Sequence, residues 1–225
     1  MELTAAANWL NTSFAAFDQT VTGAVHRLYD SAGWFFSPFL QLISILGKGG
    51  AFLIFLSICL IFVKRTRRFG TAMLLGLTLG ALMTNLFIKV AVARPRPYAD
   101  ENGFYYPLWQ LMGAHTESDK SFPSGHTTAA FASMVPVFLL GKKRVSWTAL
   151  IFAFLMGLSR IYLVVHYPSD VIGGLIIGTI AGVIATLISE NVIPKRFFSL
   201  NLIPKKKKRK LGAHEAPPQE ASVEE

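Results

Sequence analysis

An all-α integral membrane fold is what this sequence predicts, and three observations predict it. Hydrophobic residues make up 52% of the 225, and the mean hydropathy of +0.44 is above the usual range for a soluble domain. The apolar residues gather in five runs: Gly49–Val63, Thr71–Ile88, Thr127–Leu140, Trp147–Val165 and Val171–Ile188. Most approach the ~20 residues that carry a helix across a hydrocarbon core. Of 22 Lys and Arg, 15 sit in three clusters, Lys64–Arg68, Lys142–Arg144 and Lys195–Lys210, that alternate with the runs in the positive-inside manner.

At the start of the chain, Leu10, Phe14, Phe17, Val21 and Leu28 recur near helical spacing, with Asn11, Asp18, Gln19 and Arg27 on other faces. That pattern predicts an amphipathic helix lying at the membrane interface, and no basic start precedes an apolar stretch as in a signal peptide. The first apolar run is short, but Phe39–Leu46 extends it backwards and Lys48 can snorkel to the interface. The third begins after Pro123, at Ser124. Gly76, Gly80, Gly174, Gly178 and Gly182 fall at helical spacing and permit close helix contact. From Lys205 the chain turns basic, then Pro- and Glu-rich, with little to bury.

The predicted organisation is five strong transmembrane helices around a helical-bundle core, with room for a sixth span at the N-terminus. Residues 1–33 form the interfacial segment, 34–194 the membrane-embedded domain and 195–225 a disordered cytoplasmic tail. The net charge of +9 could suggest nucleic acid, but its place beside membrane exits argues for anionic lipid headgroups instead. Protein partners are not readable. The single Cys59 lies in an apolar run, which excludes an internal disulfide and a Cys-rich metal site.

If the three basic clusters are cytoplasmic, the five spans alternate consistently. Three short strings then meet at the opposite ends of the helices, outside the plasma membrane: Lys89…Arg96-Pro97, Pro123-Ser124-Gly125-His126 and Ser159-Arg160…His166…Asp170. Ionisable residues among apolar segments mark a functional site by default. Pro168 is suited to the first position of a new helix, so Asp170 falls in that helix's first turn, within hydrogen-bond reach of His166. A carboxylate there fixes the imidazole tautomer and stabilises positive charge as it forms. Gly125 opens a helix whose free N–H groups favour an anion, Ser124 adds a hydroxyl, and His126 can protonate a leaving oxygen. Lys89, Arg96 and Arg160 supply positive charge to phosphate oxygens. Arg94 is assigned a substrate-headgroup role. A metal at His126, His166 and Asp170 is disfavoured by the cations crowding the same pocket.

The alternative for each residue alone is bland. A lone His at a helix end is usually a satisfied polar group, and basic residues commonly anchor to headgroups. His26, His115, Asp100, Glu117 and Asp119 are placed in that class. The aromatics of Tyr98–Lys120 suit either a lid or plain interfacial anchors.

The strings KVAVARPRP (Lys89–Pro97), PSGH (Pro123–His126) and SRIYLVVHYPSD (Ser159–Asp170) together resemble the tripartite signature of the type 2 phosphatidic acid phosphatase superfamily. That superfamily includes glucose-6-phosphatases and vanadium haloperoxidases, and the resemblance covers about Lys89 to Ile188. It implies a bacterial membrane enzyme that hydrolyses a lipid phosphate or diphosphate, such as undecaprenyl diphosphate, phosphatidylglycerophosphate or phosphatidic acid. It implies His166 as nucleophile forming a phosphohistidine, Asp170 orienting it, and His126 as general acid. Lys89, Arg96, Ser124, Gly125 and Arg160 then cradle the phosphate, with no metal or other cofactor. Two further readings are a vanadate-dependent haloperoxidase and a non-enzymatic lipid-binding or transport protein. Many bacterial members have six spans, and the N-terminal one is weak here.

Overall fold

The computed structural model describes residues 3–200 and 202, and among these residues all regular structure is helical. Helix α1 (Ala5–Ser13) is capped by the Thr4 hydroxyl, which accepts from the Ala7 N–H. Helix α2 (Ala15–Gly47) follows, with a non-helical residue at Ala32 and Pro38 inside. Gly49 and Gly50, at φ 60° and 68°, turn the chain into α3 (Ala51–Phe62). Only glycine takes that backbone at no steric cost.

Helix α4 (Arg67–Ala81) widens into a π-helical segment, Leu82–Ile88, and resumes as α5 (Lys89–Val92). The connection that follows carries α6 (Tyr105–Leu111). Helices α7 (Gly125–Leu140), α8 (Lys143–Tyr162) and α9 (Pro168–Asn191) complete the bundle, and α10 (Lys195–Ser199) closes the described chain. Four helical stretches are long and apolar enough to cross a membrane: Ala15–Phe62, Arg67–Ala99, Lys143–Tyr162 and Pro168–Asn191. Helix α7 is apolar but shorter, at 16 residues.

The hydrophobic pattern is that of a lipid-embedded bundle. Phe55, Phe87, Phe154 and Ile176 face outward, while small and polar side chains turn inward. Helix α7 is the central element, buried from Thr127 through Pro136 between α4, α8 and α9. Glycines allow that approach. A Cβ at Gly76 would stand 2.1 Å from the Ala132 carbonyl oxygen, and one at Gly178 would stand 2.6 Å from that of Thr128. Without a solvent-driven hydrophobic force between helices in lipid, such backbone proximity is a main source of association.

Two sequence expectations are corrected. Asp18 was assigned to the polar face of an interfacial helix, yet it is 1% exposed while Phe17 faces outward. In a lipid-facing helix the apolar side belongs outside and the polar anchor inside. The stretch from Lys195 was expected to be disordered, but Lys195–Ser199 is helical. Arg67 holds it: its guanidinium, buried against the bundle, donates to the carbonyls of Phe197 and Leu200 at 2.9 and 2.6 Å. The basic run Lys205–Lys210 and the acidic end lie outside the described residues.

Gly178→Leu should therefore lower the thermal midpoint of the detergent-solubilised protein. Overpacking costs about 1–3 kcal/mol, equivalent to several degrees for a chain of this size. Circular dichroism melting checks this, with the outward-facing Ile176→Leu as the control that leaves the midpoint in place.

Candidate active site

The site is built where the first turns of α7 and α9 meet. Pro168 stands at the first position of α9, and the Asp170 carboxylate accepts the Tyr167 backbone N–H at 3.0 Å, capping the helix as its first-turn position allows. The Asp170 carbonyl in turn accepts the Ser124 N–H at 3.0 Å. Ser124 is extended at the N-cap of α7, so this one bond ties both helix starts together. Between α8 and α9 the chain reverses through Val164 at φ 53°, a left-handed conformation that a β-branched residue seldom adopts. The reversal aims the Val165 carbonyl at Arg96 and leaves His166 2% exposed.

Arg96 reads out this turn. Its Nη1 donates to the Val165 carbonyl at 2.7 Å and lies 2.9 Å from His166 Nε2. His166 Nδ1 stands 3.5 Å from Asp170 Oδ2, an ion-pair contact and not the expected hydrogen bond. Both lone pairs of Asp170 Oδ2 are already taken, by the Ser121 hydroxyl and the Tyr167 N–H, while Oδ1 accepts from Arg94. Burial first, then the charges of Arg96, Arg160 and Lys89, hold the His166 imidazole well below its ordinary titration range. Because a guanidinium can only donate, the 2.9 Å contact puts the ring's lone pair on Nε2, facing Arg96, and leaves Nδ1 toward Asp170.

Lys89, Arg96, Gly125, His126 and His166 line one cavity of about 760 Å³. A Cβ at Gly125 would lie 3.6 Å from Lys89 Nζ, which puts the ammonium over the opening of α7. His126 packs against Gly47, where a Cβ would come within 2.8 Å of its Cδ2. Ser124 and Arg160 stand behind the cavity wall; Ser124 Oγ accepts from the Thr127 hydroxyl at 3.0 Å. Arg160 is bound to Ser44 and Glu117, and its buried Nε has no hydrogen-bond partner.

Two acids assigned no function from sequence close the cradle. Asp119 pairs with both Lys89 and Arg96, and Glu117 pairs with Arg160. Their carboxylates thus supply the counter-charges of all three cations. Burial alone would raise the Asp119 carboxyl, but the Lys89 hydrogen bond and charge, then Arg96, outweigh it and hold it below its ordinary value. The loop carrying both acids is itself held. Tyr98 stacks on Trp109 with ring centroids 4.6 Å apart, and its hydroxyl accepts the Glu117 N–H at 3.0 Å. The aromatics of this connection thus anchor an acidic cover.

Arg94 does not reach toward a headgroup as expected. It is 1% exposed, and its donors go to Asn11, Ser169, Asp170 and Asp18 at 2.8, 2.7, 2.7 and 3.0 Å. Its guanidinium carbon lies 3.8 Å from the Tyr167 ring centroid. It borders a second cavity, of about 580 Å³, with every nitrogen engaged. Asp18, Ser121 and Ser169 were missed as members of this network. An acid among the apolar residues at the start of α2 was the available signal for Asp18.

Against families of known proteins, the model of the PAP2 superfamily matches residues 68–194, more than half of the chain. The chain belongs to the PAP2 superfamily. The undecaprenyl-diphosphatase BcrC of Bacillus subtilis is 32% identical over 124 residues, covering 53% of this chain and 58% of the relative. An undecaprenyl-diphosphatase of Sulfolobus acidocaldarius is 32% identical over 120 residues, covering 53% and 55%. The chain thus spans about half the length of the curated relatives it matches. Among solved structures, the PAP2-type phosphatidylglycerolphosphate phosphatase of Bacillus subtilis superposes with a TM-score of 0.64 at 26% identity. That superposition covers 84% of this chain and 92% of the other.

In this PAP2 protein the acids pair with the cations that an anion would need. Asp119 is half exposed, so solvent screens its pairs and reduces their worth. Asp119→Asn should tighten binding of inorganic phosphate about tenfold, or roughly 1.4 kcal/mol. Calorimetric titration of the solubilised protein measures it, and unchanged affinity would show that the carboxylate does not stand in the anion's place.

Proposed function

We propose that this chain is a membrane phosphatase that hydrolyses a lipid phosphate or diphosphate through a phosphohistidine, without a metal. The observation that carries the reading is the lining of the larger cavity. It brings Lys89, Arg96, His126 and His166 together with the apolar side chains of Ile54, Leu74, Leu77, Leu82 and Leu86. Ile54, Leu82 and Leu86 are also exposed on the outer surface of the bundle. A lipid can therefore enter from the bilayer with its chain along the apolar wall and its phosphate at the cations.

With phosphate in the cradle, Lys89, Arg96 and the Gly125 N–H surround its oxygens, and Arg160 joins them by exchanging Glu117 for a phosphate oxygen, so that the charge redistributed in transfer is stabilised. The His166 Nε2 lone pair attacks phosphorus as the bond to the lipid's oxygen breaks. His126 gives its proton to that oxygen, and Asp170 steadies the positive charge developing on the imidazole. Water then attacks phosphorus, His126 takes a proton from it, and the P–N bond breaks to release orthophosphate and free His166. The unpartnered Arg160 Nε fits an acceptor that arrives with the substrate.

The site lies at the ends of the helices away from Lys64–Arg68 and Lys142–Arg144. The positive-inside pattern then directs it to the outside of the plasma membrane. Two of the relatives named above are undecaprenyl-diphosphatases, so that isoprenoid diphosphate heads the substrates to compare with phosphatidylglycerophosphate and phosphatidic acid. The basic run after Lys205 suits anionic headgroups on the cytoplasmic leaflet.

Purified protein in detergent with excess chelator should release orthophosphate from at least one of these lipids. His166→Ala should reduce the release at least 1,000-fold, in the range of a lost nucleophile. Acid-quenched reactions with labelled substrate should leave label on the wild type and none on His166→Asn. Activity that disappears in chelator and returns with a divalent cation would refute the metal-free course.

A further inference from the structure

One of the contacts between α2 and the rest of the chain is a buried charged cluster. Asp18, on α2, is 1% exposed and accepts three hydrogen bonds: from the Ser169 N–H at 2.8 Å, the Ser169 hydroxyl at 2.7 Å and Arg94 Nη2 at 3.0 Å. Arg94 in turn donates to Asp170 Oδ1 at 2.7 Å, and Asp170 Oδ2 lies 3.5 Å from His166 Nδ1. Asp18 is therefore linked to the imidazole through two intermediates, both shielded from solvent.

The charges in this row do not cancel. One guanidinium stands between two carboxylates, which leaves one negative charge in excess. If Arg94 served Asp170 alone, the pair would be neutral and its pull on the imidazole weak. By drawing Nη2 to itself, Asp18 divides the guanidinium between two acids, so that Asp170 keeps negative charge facing His166. That charge is needed when Nε2 forms a bond to phosphorus and the ring becomes positive, and in a buried site it acts with little screening.

We propose that Asp18 is a positioning residue for the hydrolysis, sharing Arg94 with Asp170 so that Asp170 remains an effective counter-charge for His166. The inference rests on the reading of His166 as nucleophile. It accounts for a buried acid that packing alone does not require. It also gives Arg94 a task that the headgroup assignment did not, namely holding two acids and one helix start in a fixed arrangement.

Asp18→Asn keeps the volume and an acceptor for Ser169 while removing the charge. Measured on the full-length protein with the best lipid substrate, kcat should fall about tenfold while KM stays within twofold, because Asp18 does not border the substrate cavity. In single-turnover labelling the rate constant should fall by the same factor at unchanged amplitude, since amplitude counts correctly folded molecules. Asn11→Ala removes a neutral bond from the same guanidinium and should change kcat less than twofold. The inference is overturned by a wild-type kcat in Asp18→Asn, by a loss confined to amplitude, or by an equal loss in Asn11→Ala. A wild-type protein that releases no phosphate from any lipid overturns the reading beneath it instead, so the two failures are distinguishable.

Discussion

A carboxylate with no access to water must be surrounded by donors, and the rest of this structure is arranged around one such group. Asp170 is fully buried, and its side chain gathers Arg94, the Ser121 hydroxyl and the Tyr167 N–H while its carbonyl takes the Ser124 N–H. Those partners come from the segment after α5, the approach to α7, and the openings of α7 and α9. Satisfying one buried charge thereby fixes the relative position of every string that carries site chemistry. Removing a partner from such a group leaves an uncompensated charge, which is among the costlier defects a protein can carry.

The bundle and the position of the site were legible because they rest on local signals. Pro168 followed by Asp170 announces a helix start, Pro123–Gly125 announces another, and glycines spaced along α4 and α9 announce close contact. The parts that were not legible depend on which side of a helix faces inward. Periodicity sets Asp18 about 100° around the helix from Phe17, but in lipid the apolar face is the outer one, so the polar residue was the buried one. Arg94 was misassigned because its neighbour Arg96 points into the cavity, and alternate residues of a non-helical stretch point to different sides. Glu117 and Asp119 are 23 or more residues from the cations they meet. Only a count of buried charge, three cations in need of counter-ions, could have drawn attention to them.

The acidic cover and the cationic cradle describe the resting condition of the site. Three cations brought together in a nonaqueous setting repel one another and attract any available anion. Glu117 and Asp119, held in place by the Tyr98 and Trp109 stack, supply that anion from within the chain. The protein can fold with its cations compensated, and in the proposed reaction a phosphate would exchange one set of oxygens for another without exposing bare charge.

The side opening at Ile54, Leu82 and Leu86 bears on how the protein meets its ligand. Drawing an acyl or isoprenoid chain out of a bilayer into water costs ~0.8 kcal/mol for each methylene. A ligand that slides in laterally never leaves its solvent, so this cost does not arise and chain length confers little affinity. Encounter is then a two-dimensional search, governed by the density of the lipid in its leaflet and not by its concentration in solution. Under that regime, discrimination between lipids has to reside in the few ångströms around the phosphate, where the cradle and its acidic cover meet.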